Sequence, residues 1–351
     1  MSAGLLLLMS AVVVTLGTPV PTGASLSAAA STSPTDSAST QGSGFSAPAS
    51  VFGAGYSSSS DETTFGVATP NGFDIYRANE STGFAPTLLT SLSVPGYDTP
   101  TWDGYFCQNA AGSYGLAVFG PQHFNNDPLL SVDGGYLAVV NLLTGAASIL
   151  TERAALKYES LGCGLGNTAV ATTYSNEDDS QTTVISIDLA TGAVSSSLSL
   201  PGEVTSAVPA DGGILAAQSN QIGQIADGQF HPLTTTSSTP FYVTPAADTG
   251  VDFLTEEGGA NSGQVGAWHL SPTGASSEIA QGESGHIHLQ LGRNGQNLLT
   301  GSDVHLLSSQ WTGKQVPLGD NALAISQEGS AAVIGATPTD PVSDGALQIL
   351  K

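Results

Sequence analysis

A repeated pattern of strands and turns constrains the fold of this chain more than any other feature of its sequence. Each copy has an apolar strand, a tight glycine turn, a second strand, a loop, and a short strand that ends in an acidic residue and glycine. The clearest copy spans residues 182–213, and another spans residues 314–335. Short strands that alternate with turns in this way predict an all-β protein built from repeated small sheets.

The glycines of the candidate hairpin turns give the length of the repeat. They are Gly83, Gly145, Gly192, Gly228, Gly274 and Gly313. Their mean spacing is about 46 residues, and the blades of β-propellers repeat about every 40–50 residues. Because one blade alone leaves both faces of its sheet bare, several blades must surround a common axis. The sequence therefore predicts a single β-propeller over residues 50–351.

Six turns mark six blades, and the residues after the last turn provide one more. Apolar runs at residues 323–326, 332–335 and 346–350 predict three further strands. The strand that this last blade lacks would come from the N-terminal side, near residues 44–49. The expected architecture is thus seven four-stranded blades, and the alternative is that the chain is a fragment of a longer protein.

The first 30 residues are typical of an export signal. An apolar run at residues 5–17 is too short to span a bilayer and is followed by small residues that suit signal cleavage. The basic residues expected before such a run are absent, since the first cationic side chain is Arg77; an incorrectly assigned start codon would explain this. We expect residues 1–30 to be a signal peptide and residues 31–49, rich in Ser, Thr, Ala, Gly and Pro, to be a flexible spacer.

The charge balance limits the possible partners. The chain has 29 Asp and Glu but only 6 Lys and Arg, for a net charge of −23, and 10% of its residues are charged, against about 25% in typical domains. A surface so poor in cations repels nucleic acid and anionic lipid, so we expect neither nucleic-acid binding nor membrane association after signal cleavage. The same balance suits acidic surroundings, in which protonated carboxylates leave the surface nearly neutral.

The two cysteines are expected to form a disulfide. Cys107 and Cys163 follow the predicted innermost strands of neighbouring blades, and an exported protein meets oxidising conditions. The alternative is a pair of buried thiols. A cysteine pair alone is a poor metal site, and we expect no metal and no cofactor.

Three segments carry a resemblance to a known family. Residues 184–192 contain a VIDxATG-like hairpin, and residues 207–212 and 322–329 contain turns like ALSPDG. The chain thereby resembles the YVTN/WD40-like β-propeller repeats of secreted bacterial proteins over about residues 60–351. The resemblance implies a propeller fold, and a family of mostly binding scaffolds with some enzymes.

Aromatic and acidic side chains are concentrated in one stretch, YDTPTWDGYF. Within it, Trp102, Asp103 and Tyr105 are candidate ligand-binding residues, because aromatic rings beside a carboxylate suit sugar faces and hydroxyls or a protein partner. The alternative is that these side chains fill the space between blades.

A second candidate lies on a predicted innermost strand, where His286, His288 and Gln290 share one face. Two imidazoles on one face are able to hold a metal or move a proton, but they need a carboxylate or a third histidine from another blade. The alternative is a polar set that lines the channel and binds water.

Together these features predict an exported, monomeric, non-catalytic β-propeller that acts as a binding or interaction module at or outside the cell envelope. Its ligand, a protein or a saccharide, is expected at one end of the propeller, where loops gather. One alternative is an extracytoplasmic hydrolase or lyase with acids, His286 and His288 at the channel mouth. Another is a structural module of a larger surface protein.

Overall fold

The computed structural model describes residues 61–79, 81, 86–97, 101–122, 134–156, 160–174, 180–257, 264–283, 288–292, 295, 297–300, 304–306, 322–325, 331–334 and 346–349. Within these ranges the regular structure is almost entirely antiparallel β-sheet. No helix in the described part of the chain has the length and apolar character needed to cross a membrane.

The first 19 strands form five blades. The first contains β1 (Glu62–Thr69), β2 (Gly72–Asn79) and β3 (Thr87–Leu92). The second contains β4 (Trp102–Gln108), β5 (Tyr114–Pro121), β6 (Gly135–Asn141) and β7 (Ala147–Ala154). The third contains β8 (Leu161–Cys163), β9 (Thr168–Tyr174), β10 (Gln181–Asp188) and β11 (Val194–Pro201). The fourth contains β12 (Val204–Ala210), β13 (Gly213–Gln218), β14 (Gln221–Ala226) and β15 (Gln229–Thr235). The fifth contains β16 (Pro240–Pro245), β17 (Val251–Glu257), β18 (Gln264–Leu270) and β19 (Ser276–Glu283).

Two smaller sheets follow the fifth blade. The first contains β20 (His288–Gln290), β21 (Leu298–Thr300) and β22 (Val304–Leu306). The second contains β23 (Ala322–Ile325), β24 (Ala331–Ile334) and β25 (Ala346–Ile349). The strands of the last sheet lie where the three C-terminal apolar runs predicted them, and β1 of the first blade lies against β23.

The prediction of seven four-stranded blades is wrong. The fold is an all-β propeller with five blades of three to four strands, and the first of these has three. The prediction counted one complete blade for each turn glycine, although a turn specifies a hairpin and not the number or length of the other strands. After the fifth blade the described strands have only three or four residues, against about five or six in a typical strand. Gly83 and Gly313, the first and the sixth of the predicted turn glycines, lie outside the described residues.

The four turn glycines that the structure describes lie in hairpins, as predicted. Gly145, Gly192, Gly228 and Gly274 each join the third and fourth strands of a blade, and each has a positive φ between 71° and 85°. Such a φ is free of steric cost in glycine. The side chain of Asp188 supports its turn by accepting hydrogen bonds from the N–H and the hydroxyl of Thr191, both at 2.8 Å. These bonds hold the pKa of the Asp188 carboxyl below its usual value.

The hydrophobic core lies between the faces of neighbouring blades. One cluster joins the second and third blades through residues such as Val118, Leu137 and Ile187, which are at most 1% exposed. Another joins the first and second blades through Phe73 and Phe119. The innermost strands approach so closely that a β-carbon placed on Gly162 of β8 would overlap the backbone oxygen of Ala207 in β12. Interdigitated blades of this kind position the loops at both ends of the propeller.

Candidate functional site

Aromatic side chains form a row across the second blade at the end where β4 and β6 begin, which we call the loop end. The antiparallel register pairs Phe119 with Tyr136 and Tyr136 with Arg153, so that these three lie on one face of the sheet. Trp102 is on the same face, two residues from Gly104, which pairs with Phe119. Ring centroids are 6.2 Å apart for Trp102 and Phe119 and 5.9 Å apart for Phe119 and Tyr136. We call Trp102, Phe119 and Tyr136 the aromatic row.

Tyr97, in the segment between β3 and β4, covers the row from the solvent side. Its ring meets Trp102 edge-on at 6.2 Å and Tyr136 edge-on at 6.1 Å between centroids. The hydroxyl oxygens of Tyr97 and Tyr136 are 2.9 Å apart and share a hydrogen bond. Tyr97 is 38% exposed, whereas Trp102 is only 6% exposed. Tyr97 is thus exposed and Tyr136 half-buried, the hydrogen bond between their hydroxyls lies at the surface, and Trp102 and Phe119 support both rings from the core.

Arg153 extends this arrangement with a positive charge. Its guanidinium carbon lies 3.5 Å from the centroid of the Tyr136 ring, a close cation–π contact. Its Nη1 donates a long hydrogen bond of 3.5 Å to the carbonyl oxygen of Gly134. Among the described residues, no carboxylate lies within ion-pair distance of this guanidinium.

The structure divides the predicted aromatic site between two faces. Trp102 packs toward the first blade, while Tyr105 packs into the core between the second and third blades. Asp103 points to the same side as Tyr105, because successive residues of a strand alternate between faces. Burial raises the pKa of the Asp103 carboxyl, and a hydrogen bond of 2.8 Å from the N–H of Gly104 opposes this rise. Ligand binding by these three residues remains a prediction.

The predicted histidine site lies largely outside the described side chains. His286 is outside the described residues. His288 and Gln290 belong to β20, where their backbones pair with Thr300 and Leu298. Gln290 is half-buried. A channel-facing role for this set remains a prediction.

Cys107 and Cys163 form the predicted disulfide, with their α-carbons 5.7 Å apart. It connects β4 of the second blade to β8 of the third, so it ties two innermost strands together. Through β4 it also secures the strand from which Trp102 projects.

At the opposite end, which we call the turn end, a short turn joins the first strand of a blade to the second strand of the same blade. The turns of the third, fourth and fifth blades, at residues 164–168, 209–211 and 245–250, line a cavity of about 140 Å³. Its polar side chains are Thr168, Asp211 and Thr249, and the rest of its lining is glycine and apolar residues. One carboxylate and two hydroxyls give this cavity little with which to distinguish a ligand.

A histidine beside this cavity is held by two carboxylates. His269 on β18 contacts Asp252 through Nδ1 at 2.8 Å and Asp248 through Nε2 at 3.1 Å. The hydrogen bond to Asp252 is the main reason that the pKa of the His269 imidazole is raised, and the charge of Asp248 adds to it. Asp252 also accepts a hydrogen bond of 2.7 Å from the buried amide of Asn297. Both ring nitrogens are engaged, so the imidazole has neither available for a substrate proton, and the cluster serves to join the sheets.

In the described part of the chain, no three His, Cys, Asp or Glu side chains are arranged to hold a metal ion. Sequence reasoning missed Tyr136 and Arg153 as site residues. They are distant in sequence from the aromatic stretch, and only the strand register brings them to it. The local signal for Tyr97 was present, since it belongs to that stretch.

The blades define a β-propeller, and two solved structures with TM-scores of 0.50 agree with this fold. One chain of the mitotic checkpoint complex matches with a TM-score of 0.50 and 12% identity, over 83% of this chain and 87% of that one. The acylaminoacyl peptidase of Pyrococcus horikoshii matches with a TM-score of 0.50 and 14% identity, over 83% of this chain and 50% of that one. TolB of Acinetobacter baumannii matches with a TM-score of 0.48 and 15% identity, over 70% of this chain and 61% of that one.

At these identities the likeness establishes the fold alone, and a single fold supports both enzymes and binding proteins. The chain spans about 61% of the TolB chain and half of the peptidase chain. No family model matches the sequence, and no curated protein matches it either.

Proposed function

We propose that the protein is an exported, non-catalytic binding module that acts at or outside the cell envelope, with its ligand site at the aromatic row. The observation that carries this proposal is the tyrosine pair, in which the exposed Tyr97 and the half-buried Tyr136 share a hydroxyl hydrogen bond above a buried aromatic base. Their rings are already held in place before a ligand arrives. A preorganised surface loses less conformational entropy on binding than a flexible one.

The chemistry of this surface favours a saccharide. The exposed ring of Tyr97 provides apolar area for the C–H face of a sugar ring, and the two tyrosine hydroxyls are able to donate or accept hydrogen bonds to sugar hydroxyls. The guanidinium of Arg153 adds several N–H donors beside them. A repeating sugar polymer outside the cell would present many such faces.

Two features support export. The first is the apolar segment at residues 5–17 with small residues after it. The second is the disulfide between Cys107 and Cys163, since such bonds persist in oxidising compartments and are rare in the cytosol. Expression of the full-length gene, followed by N-terminal sequencing of the protein in the culture medium, tests export directly. Protein retained in the cytoplasm with its first 30 residues intact would refute it.

Co-sedimentation with insoluble polysaccharides and cell-wall fractions tests binding. We expect retention that a soluble sugar displaces, and we expect Tyr97→Ala to weaken it about five- to tenfold, because one ring contact contributes about 1 kcal/mol. The matched control is Leu143→Ala, which removes a side chain that is 64% exposed at the turn end. If both variants bind like the unaltered protein, or if no fraction retains it, the proposal is wrong.

A further inference from the structure

Positive charge is scarce in this protein, which makes the position of each cation informative. The sequence has 6 Lys and Arg against 29 Asp and Glu. Two of these six cations, Arg77 and Arg153, lie in the described part of the chain. With so many carboxylates present, an arginine that serves only to stabilise the fold is expected to pair with one of them.

Arg77 follows this expectation. Its guanidinium forms an ion pair with Glu62 on the adjacent strand β1, and it also donates a hydrogen bond of 3.5 Å to the carbonyl oxygen of Leu142. Its charge is neutralised within the blade-to-blade contact. Arg77 therefore has a structural partner and requires no ligand to explain it.

Arg153 does not follow the expectation that a structural arginine pairs with a carboxylate. Within the described residues it has no carboxylate partner, and its protein contacts are the ring of Tyr136 and a single carbonyl oxygen, that of Gly134. A guanidinium carries five N–H donors, so most of its hydrogen-bonding capacity is unused by these contacts. A carbon 3.5 Å from the ring centroid is at stacking distance, which fixes the group in position.

We propose that Arg153 is an anion-recognition residue and that the ligand of the aromatic row is a glycan that carries carboxylate groups, such as a polyuronate. This inference rests on the proposed function and names the class of its ligand. A planar guanidinium matches a carboxylate with two parallel hydrogen bonds, and the tyrosine pair beside it accommodates the sugar ring. An acidic peptide would satisfy the arginine but would make no use of the ring surface, so the glycan is favoured.

The net charge of −23 opposes an anionic ligand at long range, and this gives the inference a distinctive salt dependence. The Debye length is about 30 Å at 0.01 M salt and about 10 Å at 0.1 M. Distant carboxylates are screened at the higher concentration, while the contact with Arg153 is screened less. Affinity for an acidic glycan is therefore expected to rise between these two concentrations, whereas that of a neutral glycan is expected to stay constant.

The experiment measures the binding of trigalacturonate and of its methyl ester to the full-length protein by calorimetry in 0.1 M salt. We expect the acid to bind about tenfold more tightly than the ester, because a hydrogen bond to a charged group contributes about 1.5 kcal/mol or more. Arg153→Gln should abolish this difference, and Arg153→Lys should restore part of it, since lysine keeps the charge without the planar fork.

The matched control is Arg77→Gln, which lowers the net charge by the same amount. Arg77 lies near Leu142 at the far end of β6, roughly 20 Å from Tyr136 along the strand. This variant should keep the preference for the acid. Circular dichroism of each variant establishes that it is folded.

Each result bears on a separate claim. Equal binding of acid and ester, with both weakened by Tyr97→Ala, overturns the inference and leaves the proposed function in place. Binding of neither probe overturns the inference, and the co-sedimentation assay then decides the proposed function separately. A glutamate tripeptide that binds as tightly as trigalacturonate shows recognition of carboxylates alone and overturns the assignment of a glycan.

Discussion

Removal of the disulfide is expected to lower stability by an amount that follows from its position. Cys107 and Cys163 are 56 residues apart in sequence. Closing a loop of that length removes chain entropy from the unfolded state equivalent to about 4 kcal/mol at 25 °C. A propeller of about 290 residues has an unfolding entropy near 0.6 kcal/mol per kelvin, so Tm should fall by about 7 °C.

Scanning calorimetry of the double variant Cys107→Ala/Cys163→Ala, beside the oxidised protein, measures this shift. Cys163 is 3% exposed, so the alanines also leave a small void. The reduced, unaltered protein keeps both sulfur atoms and isolates the effect of the cross-link. If the reduced protein melts within about 1 °C of the oxidised one, the entropic reasoning is wrong.

Two further substitutions, each paired with a control substitution, test the packing and the charge network. Gly162→Ala should cost about 2 kcal/mol or more in urea unfolding, because its β-carbon meets the backbone of the next blade; Gly166→Ala, in a turn with open space, should stay within about 0.5 kcal/mol. The pKa of His269 is raised in the folded state. The stability that this histidine contributes is therefore fully present below about pH 6.5, the pKa of an unperturbed histidine, and is lost as the pH rises through the pKa of His269 in the folded protein. His269→Gln should flatten this decline of the free energy of unfolding with pH, whereas the control His231→Gln, at an exposed position, should leave it as it is. A decline that is unchanged in both variants would refute the assignment of this pH dependence to His269.

Local sequence signals predicted the local structure well. The Asp188, Thr191 and Gly192 turn is specified by its own side chains, which bond within four residues of one another. The strands of the last sheet were likewise visible as apolar runs. The number of complete blades was not predictable in this way, because it depends on strand lengths that are determined by packing against neighbouring sheets.

The site was only partly predictable for the same reason. The aromatic stretch gave Trp102 as a candidate and contains Tyr97, which was not chosen, and the period of two along a strand already places Trp102 and Tyr105 on opposite faces. The contact between Tyr136 and Arg153 depends on the register of β6 with β7, which shifts at an irregularity just beyond Tyr136. No feature of either residue's neighbourhood in the sequence specifies that register.

The hydrogen bond between Asp252 and Asn297 joins the fifth blade to the small sheet that follows it. Asp252 also bonds Nδ1 of His269, and the raised pKa of the imidazole means that the protonated ring contacts this carboxylate more strongly than the neutral ring does. Loss of the proton would therefore weaken the attachment of the C-terminal sheets while leaving the cores of the first five blades intact. We therefore expect the C-terminal sheets to unfold locally before the blades do, so that their amide protons exchange faster. Alkaline conditions should increase this difference in exchange rate.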